Sequence, residues 1–193
     1  MKIGKTLYVT SRKEWRLWLS KNYKKEPEIW LIFYRKETGK ARISYDDSVL
    51  EALCFGWIDS IVKKVDDESF AQRFSPRKST SELSQMNKER IRQLIKERKM
   101  TKAGLAALAH VYDPQKDNDE TFVIPSEISR ALKKEKNAWE NFQKMSSSYQ
   151  RIRIAYIESR KRHRPEMYKK ALDYLVRMTA QNKRIGIVRE RRK

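Results

Sequence analysis

A β-hairpin is predicted by one continuous stretch of the sequence: Trp57-Ile-Asp-Ser-Ile-Val-Lys-Lys-Val65, Asp66-Asp-Glu68 and Ser69-Phe-Ala-Gln-Arg-Phe-Ser75. Both flanks are rich in β-branched and aromatic residues, and the acidic triplet between them is typical of a solvated turn. Pro76 then ends the second strand, because proline has no N–H to donate to a sheet. The hairpin therefore supplies two strands of a sheet.

Helices and a further strand surround this hairpin. The continuous apolar run Ile29–Tyr34 is typical of a central strand that is covered on both faces. Apolar residues at helical spacing predict a helix that is capped by Asp46 or Asp47 and that ends at Gly56. Further helical patterns lie at 82–98, 102–110, 126–144, 148–161 and 166–181. We expect an α+β fold with a small antiparallel sheet packed with helices, followed by a C-terminal helical segment.

The polar stretch from Asp113 to Glu120 has no periodicity and is the best candidate for a domain boundary. We predict an α+β domain over residues 1–112, a linker over 113–121, a helical domain over 122–186 and a basic tail over 187–193.

Positive charge is concentrated near the C-terminus. The formal net charge is +20, and residues 144–193 hold 16 Lys/Arg against 4 Asp/Glu, a net charge of +12 for that region. Such a field attracts nucleic acid, anionic lipid or acidic proteins, and salt weakens the attraction. Ordinary solvated helix faces would have the same composition.

The remaining composition narrows the class of protein. Apolar residues make up 39% and charged residues 36%, as expected for a globular chain. The single cysteine, Cys54, excludes an internal disulfide, and its expected role is that of a small buried hydrophobic residue. His110 and His163 stand apart from other metal ligands, so we expect no metal and no cofactor. Without a signal-peptide pattern or an apolar run of about 20 residues, we expect a cytoplasmic protein.

The helix predicted over 82–98 has an interrupted apolar face. At 100° per residue, Asn87 and Arg90 fall on the same side as Met86, Ile91 and Leu94. A buried arginine needs a carboxylate, backbone carbonyls or a ligand anion, because an unpaired buried charge is very costly. Asp59 is our candidate partner for Arg90.

The hairpin register decides which side chains share a sheet face. If Val65 pairs with Ser69, then Trp57 and Asp59 lie on the same face as Arg73. A slip of one residue would send Arg73 to the opposite face, and the sequence leaves both registers open.

These observations define a candidate ligand-binding site. Its residues are Trp57, Asp59, Arg73, Arg77, Asn87 and Arg90. Guanidinium groups match carboxylate and phosphate geometry, so the site suits an anion. Arg77 and Lys78, which precede the helix N-terminus near Ser81, add two cations to the same region. The alternative is a buried Asp–Arg–Asn network that ties the helix to the sheet.

Four blocks of residues follow one another in a specific order. They are Glu51-Ala-Leu-Cys-Phe-Gly-Trp-Ile-Asp59, Arg73-Phe-Ser-Pro-Arg-Lys78, Ser81-x-Leu83-Ser84-x-x-Asn87-x-x-Arg90 and Met100-Thr-x-x-Gly104. Together they resemble the YdeI/OmpD-associated family, also labelled bacteriocin-protection proteins, over roughly residues 14–110. The segments Phe122–Pro125 and Tyr149–Lys161 resemble the small C-terminal helical domain of that family.

Two departures from the family pattern stand out. Leu83 occupies the place of a usual tryptophan, which removes part of an aromatic wall. The usual arginine pattern of the C-terminal domain appears here as Arg164-Pro165, with Lys169 and Lys170 further on.

The resemblance implies a stress-related protein, linked by the family names to an outer-membrane protein, and it implies no reaction. We therefore expect a non-enzymatic protein that binds an anionic small molecule or an acidic protein partner. A second hypothesis is nucleic-acid binding through the basic region 144–193. A third is an enzyme that acts on a small acid with Asp59 as acid or base, although no nucleophile motif accompanies that residue.

Overall fold

The computed structural model describes residues 2–80, 82–117 and 122–186. The chain divides into two compact units, Met1–Asn118 and Asp119–Lys193, which we call the N-terminal and C-terminal units. In the described residues a sheet with helices forms the first unit and helices form the second, so the predicted α+β class is confirmed.

The sheet of the N-terminal unit is mixed. Its strands are β1 (Thr6–Tyr8), β2 (Ile29–Tyr34), β3 (Trp57–Lys64) and β4 (Ser69–Pro76). They lie in the order β1-β2-β4-β3, with β2 and β3 antiparallel to β4. The predicted sheet was wholly antiparallel, but β1 runs parallel to β2. Helix α1 (Arg12–Asn22) connects this parallel pair, as a crossover connection requires.

The core of this unit lies on one face of the sheet. Ile29 and Leu31 of β2 and Phe74 of β4 point to this face and are fully buried. Trp15 and Leu19 of α1 pack against them without any exposed surface. The helix is therefore held by its apolar face, as amphipathic helices generally are.

Three longer helices and a short one complete the described part of the N-terminal unit. They are α2 (Tyr45–Cys54), α3 (Gln85–Lys96), α4 (Lys102–Leu108) and α5 (Pro114–Asp117). The cap predicted for α2 was wrong: Ser44, not Asp46 or Asp47, accepts the hydrogen bond from the Asp47 amide. Both aspartates lie in the first turn, where their charges face the positive end of the helix dipole.

Four helices form the described part of the C-terminal unit: α6 (Ser126–Lys133), α7 (Lys136–Lys144), α8 (Ser147–His163) and α9 (Pro165–Ala180). The single helix predicted over 126–144 was wrong, because extended backbone at Glu135 separates α6 from α7. The core of the unit includes Leu132, Phe142 and Tyr149, all without exposed surface.

The predicted domain boundaries stay predictions. The predicted linker 113–121 contains α5 at its start, and residues 118–121 lie outside the described residues. The basic tail 187–193 also lies outside them. Among the helices in the described ranges, none combines the length and the apolar character that crossing a membrane requires.

Candidate functional site

The register of the hairpin changes along its length. Near the turn Val65 donates to the Ser69 carbonyl (3.1 Å) and Val62 lies opposite Gln72, which is the predicted register. A β-bulge between Asp59 and Val62 then shifts the pairing by one residue, so that Asp59 lies opposite Phe74. Of the two registers that the sequence left open, one is therefore observed near the turn and the other at the end where the candidate site was expected.

Arg73 lies on the sheet face opposite to Asp59 because of this bulge. Its Nε donates to Glu28 Oε2 (2.7 Å) and its Nη1 to Ser60 Oγ (3.2 Å). Hydrogen bonds from Trp30 and Arg73 hold the pKa of Glu28 below its usual range. Arg73 and Asp59 therefore do not share a sheet face, which is the alternative that the sequence left open, and Arg73 forms its ion pair with Glu28.

Trp57 belongs to the core. Its side chain is 1% exposed, and its ring lies edge-on to Trp18 with centroids 5.9 Å apart. The indole Nε1 donates to the Tyr23 carbonyl (3.1 Å). The indole is thus used in packing and does not form a wall that a ligand can contact.

Asn87 and Arg90 point inward from α3, as the sequence predicted. Asn87 is 9% exposed, and its Oδ1 accepts a hydrogen bond from Arg90 Nη1 (3.0 Å). The carboxylate partner of Arg90 is Asp46, however: Nη2 of Arg90 lies 2.8 Å from Asp46 Oδ1. The predicted pairing with Asp59 was wrong because Asp46, in the first turn of α2, lies nearer to α3.

Asp59 is bound by a tyrosine. Its Oδ2 accepts a hydrogen bond from the Tyr45 hydroxyl (2.6 Å). Burial raises the pKa of Tyr45, and the hydrogen bond to the Asp59 carboxylate raises it further. The phenol therefore stays a neutral donor at physiological pH. We call Tyr45, Asp46, Asp59, Asn87 and Arg90 the α2–α3 cluster.

The α2–α3 cluster contains two carboxylates and one guanidinium, so it has no surplus of positive charge. Its hydrogen bonds connect α2, β3 and α3. This geometry favours the alternative of a polar network that fixes the helices to the sheet. A ligand-binding role for Asp59, Asn87 and Arg90 stays a prediction.

Arg77 lies at the end of the hairpin, just before α3. Its amide donates to the Gly56 carbonyl (2.9 Å), and its guanidinium donates to the Glu82 carbonyl. Burial lowers the pKa of Arg77. Ser81, the predicted helix start, lies outside the described residues, and the cap of α3 is Ser84. Arg77 is thus used to fold the β4–α3 connection, and its role in anion binding stays a prediction.

An ion-pair network between α1 and α2 was not predicted from the sequence. Glu51 is 3% exposed, and its two oxygens accept from Arg12 Nε (2.7 Å) and Arg16 Nη1 (2.7 Å). Arg16 Nη2 also donates to the Lys99 carbonyl (2.9 Å). The one signal in the sequence was a glutamate among the apolar positions of α2, with two arginines four residues apart on α1.

Charges are distributed differently in the C-terminal unit. Within its described residues, Lys161 pairs with Glu127 (2.5 Å). By contrast Arg162, Lys169 and Lys170 are exposed and form no ion pair with any residue that the structure describes. The basic surface predicted near the C-terminus is therefore largely open to solvent, whereas the arginines of the N-terminal unit considered above are bonded to protein groups.

A surface groove runs between α6 and α9 and has a volume of about 810 Å³. Its apolar floor includes Leu172 and Val176. Its charged rim is formed by Glu127, Glu135, Asp173, Arg130, Lys134 and Arg177. Because acidic and basic groups are equal in number, the groove has no net preference for an anion.

Groups that could hold a metal do not converge in the described parts of the chain. Cys54 is buried, and desolvation raises the pKa of its thiol to about 11. A thiol with this pKa is protonated at neutral pH and is a poor nucleophile and metal ligand.

The fold and these contacts define a two-unit α+β protein with a helical second unit. The profile of a family described as Domain of unknown function (DUF8412) matches residues 7–107. The profile of a family described as Bacteriocin-protection, YdeI or OmpD-Associated matches residues 121–182. The chain belongs to the DUF8412 family, and its residues 121–182 are similar to the Bacteriocin-protection, YdeI or OmpD-Associated family.

The predicted resemblance is thus confirmed through the C-terminal unit. The four sequence blocks that suggested it lie within the DUF8412 match. No curated protein and no solved structure matches the chain.

Proposed function

We propose that this protein is a non-enzymatic, cytoplasmic binding protein whose partner is a nucleic acid, held through the basic surface of the C-terminal unit. The observation that supports the proposal is the contrast in charge pairing. Arg73 and Arg90 of the N-terminal unit have carboxylate partners, whereas Arg162, Lys169 and Lys170 are exposed and have none within the described ranges of the chain. Unpaired, exposed cations are available to phosphate groups at little desolvation cost.

The expected mode of binding is contact with the phosphate backbone. Phosphate contacts position a protein on nucleic acid but carry no sequence information. The core side chains Phe142 and Tyr149 have no exposed surface and cannot stack on bases. Tyr156 and Tyr174 are 40% and 44% exposed, but stacking on a tyrosine tolerates any base. We therefore expect weak dependence on sequence and strong dependence on salt.

In this proposal the anion binds to the C-terminal unit and not to the α2–α3 cluster. That cluster holds two carboxylates against one guanidinium, and an incoming anion would have to displace Asp46 from Arg90. The region 144–193 has a net charge of +12 from 16 basic and 4 acidic residues. Among the described residues, its exposed Lys169 and Lys170 have no carboxylate partner that an incoming anion would have to displace.

The test compares two full-length triple variants in binding to fluorescent DNA and RNA. One carries Arg162→Glu, Lys169→Glu and Lys170→Glu, and the matched control carries Lys13→Glu, Lys21→Glu and Lys25→Glu at exposed positions. Because every substitution lowers the net charge by two, both variants lose the same charge. In salt titrations, the first triple should reduce the slope of log K against log salt by about 2 to 3, and the control by much less.

Equal loss of affinity in the two variants would show that net charge alone is responsible and would refute a defined surface. Competition with polyglutamate distinguishes a nucleic acid from an acidic protein as the partner. If polyglutamate displaces DNA at equal charge concentration, the partner is an acidic protein and the nucleic-acid proposal is wrong. Circular dichroism should confirm that both variants are folded.

A further inference from the structure

Arg153 is a buried cation in the middle of α8. Arg153 is only 7% exposed, and its Nε is buried without a hydrogen-bond partner among the described residues. Burial lowers the pKa of Arg153, and the groups that act against this effect are the hydroxyls of Tyr149 and Tyr156, with no carboxylate among them. In the described residues, the guanidinium therefore lacks the anion that a buried charge normally requires.

Two tyrosine rings connect Arg153 to further arginines. The guanidinium carbon of Arg153 lies 5.6 Å from the ring centroid of Tyr149 and 5.7 Å from that of Tyr156. Arg160 lies 4.8 Å from the Tyr156 centroid and donates to its hydroxyl (3.0 Å). Arg184 lies 5.8 Å from the Tyr149 centroid. Three guanidinium groups thus surround two rings on one side of α8.

The backbone that follows α9 is fitted closely against Arg153. The Ile185 amide donates to the Tyr149 hydroxyl (2.9 Å), which holds this segment on α8. A Cβ atom at Gly186 would lie 2.6 Å from Arg153 Nη1, so that only glycine fits at this position without displacing the guanidinium. The guanidinium of Arg153 is therefore packed closely against the backbone at Gly186 and the ring of Tyr149.

Contact with the tyrosine rings does not satisfy the hydrogen-bond donors of the Arg153 guanidinium. A ring face attracts the positive charge, but an arginine has five N–H donors that need oxygen acceptors. A structural role for Arg153 would normally include a carboxylate or carbonyl groups. A buried guanidinium for which the described residues supply no oxygen acceptor at Nε is instead the arrangement expected of a group that receives acceptors from a ligand.

We propose that Arg153, together with Arg160 and Arg184, binds the phosphate group of a phosphomonoester. Guanidinium groups bind phosphate bidentately, and a dianionic phosphate matches several guanidinium groups better than a singly charged carboxylate does. This site goes beyond the proposed function: Arg162, Lys169 and Lys170 would contact a polymer backbone, whereas Arg153 would hold one terminal phosphate. A free nucleotide and the phosphorylated end of a nucleic acid share this chemistry.

The first experiment measures thermal unfolding of the full-length protein with increasing inorganic phosphate at constant ionic strength. The wild type should gain melting temperature with phosphate, because a ligand that binds only the folded state stabilises it. Arg153→Met should lose that gain, with affinity for phosphate at least about tenfold weaker. Without phosphate, Arg153→Met should melt at a higher temperature than the wild type, since it removes an uncompensated buried charge.

Further variants keep the proposal testable if Arg153→Met does not fold. Arg153→Lys keeps the charge but loses the fork, and Arg160→Met removes the neighbouring guanidinium; both should weaken phosphate binding. Retention of wild-type affinity by the folded variants would overturn the site. So would a lower melting temperature of Arg153→Met combined with an unchanged response to phosphate, since that result assigns Arg153 a structural role.

Calorimetry with short oligonucleotides separates the two sources of phosphate. Tighter binding of a 5′-phosphorylated strand than of its 5′-hydroxyl counterpart supports a nucleic-acid end, and tight binding of a nucleoside monophosphate alone supports a free nucleotide. The triple variant of Arg162, Lys169 and Lys170 serves as the control. It should keep the response to inorganic phosphate even if it loses nucleic acid, so the two proposals can fail independently.

Discussion

Arg90 is anchored to Asp46, with Nη2 of the arginine 2.8 Å from Oδ1 of the aspartate. The two side chains are 17% and 21% exposed, and they join the first turn of α2 to the middle of α3. The adjacent residue, Tyr45, uses its hydroxyl to bind Asp59 of β3. Two consecutive residues of α2 therefore bind two different elements: Tyr45 binds β3 and Asp46 binds α3.

Asp46→Asn should destabilise the protein more than Asp59→Asn. The first substitution leaves the half-buried Arg90 without a carboxylate and should lower the free energy of unfolding by about 1–3 kcal/mol. The second keeps an acceptor for the Tyr45 hydroxyl and should cost about 1 kcal/mol or less. Urea denaturation of both variants measures the difference.

The opposite order would contradict the geometry described for the α2–α3 cluster. If Asp59→Asn were the more destabilising change, Asp59 and not Asp46 would be the partner of Arg90. Tyr45→Phe provides a matched control, because it removes the hydrogen bond to Asp59 and leaves every charge in place. Its cost should resemble that of Asp59→Asn.

Glu51→Gln should be one of the most destabilising single changes in the N-terminal unit. Glu51 is 3% exposed and accepts hydrogen bonds from both Arg12 and Arg16. Removing one member of a buried ion-pair network leaves uncompensated charge, at a cost of about 3–5 kcal/mol. Because Arg16 is partly exposed, we expect the lower end of that range. The midpoint of urea unfolding measures the loss.

Glu37→Gln is the matched control for this prediction. Glu37 is exposed in the short 3₁₀ helix Lys36–Thr38, so the same chemical change should shift stability by less than about 0.5 kcal/mol. Equal effects at positions 37 and 51 would mean that the buried network contributes nothing to stability.

Local sequence patterns predicted the elements of the fold well, because they depend on neighbouring residues. The observed strands Trp57–Lys64 and Ser69–Pro76 agree with the predicted hairpin. The helices predicted over 102–110 and 166–181 are observed as Lys102–Leu108 and Pro165–Ala180, and Thr101 caps the first of them. These features need only the periodicity and the capping chemistry of a few adjacent side chains.

The candidate site could not be assembled from the sequence, because it depends on distant pairs. No glycine or other signal marks the bulge between Asp59 and Val62, yet it moves Arg73 to the opposite face. Asp46 and Arg90 are separated by 44 positions, and periodicity carries no information about which aspartate reaches the arginine. Arg153 was overlooked because it lies among the basic residues that composition assigns to a solvated surface.

Gly104→Ala should destabilise the protein although alanine is the better helix former. On helix propensity alone, alanine in α4 would add about 1 kcal/mol of stability. The added Cβ would lie 2.1 Å from the Cys54 carbonyl oxygen, however, and that oxygen already accepts hydrogen bonds from the Thr101 amide and hydroxyl. We expect a net loss of about 2–3 kcal/mol in the free energy of unfolding, measured in urea.

Gly39→Ala is the control for Gly104→Ala, because it introduces backbone strain without a steric clash at the added Cβ. Gly39 has a φ of +66°, and no atom lies within 4 Å of the position that its Cβ would occupy. Alanine there should cost about 1–2 kcal/mol through its backbone conformation alone. A stabilising effect of Gly104→Ala would show that α4 does not pack on the end of α2 as described.

Glu28→Gln should reduce stability at neutral pH and have little effect in acid. The Glu28 carboxylate accepts hydrogen bonds from Trp30 (2.9 Å) and Arg73 (2.7 Å), in that order the main causes of its lowered pKa. A carboxylate with a lowered pKa stabilises the folded state above its ordinary pKa of 4.5, and the stabilisation disappears as the pH falls through the folded value. The gap between wild type and variant should therefore narrow from pH 7 towards about pH 3.

Urea unfolding midpoints of the wild type and Glu28→Gln across this pH range test the prediction. A gap that stayed constant would mean that the ionised form of Glu28 contributes nothing and that the ion pair with Arg73 is not formed in solution. Arg73→Gln provides the complementary variant: it removes the cation, and it should also weaken the pH dependence because the carboxylate then loses one of the two donors that lower its pKa. If Arg73→Gln left the pH dependence unchanged, the Trp30 hydrogen bond alone would account for it.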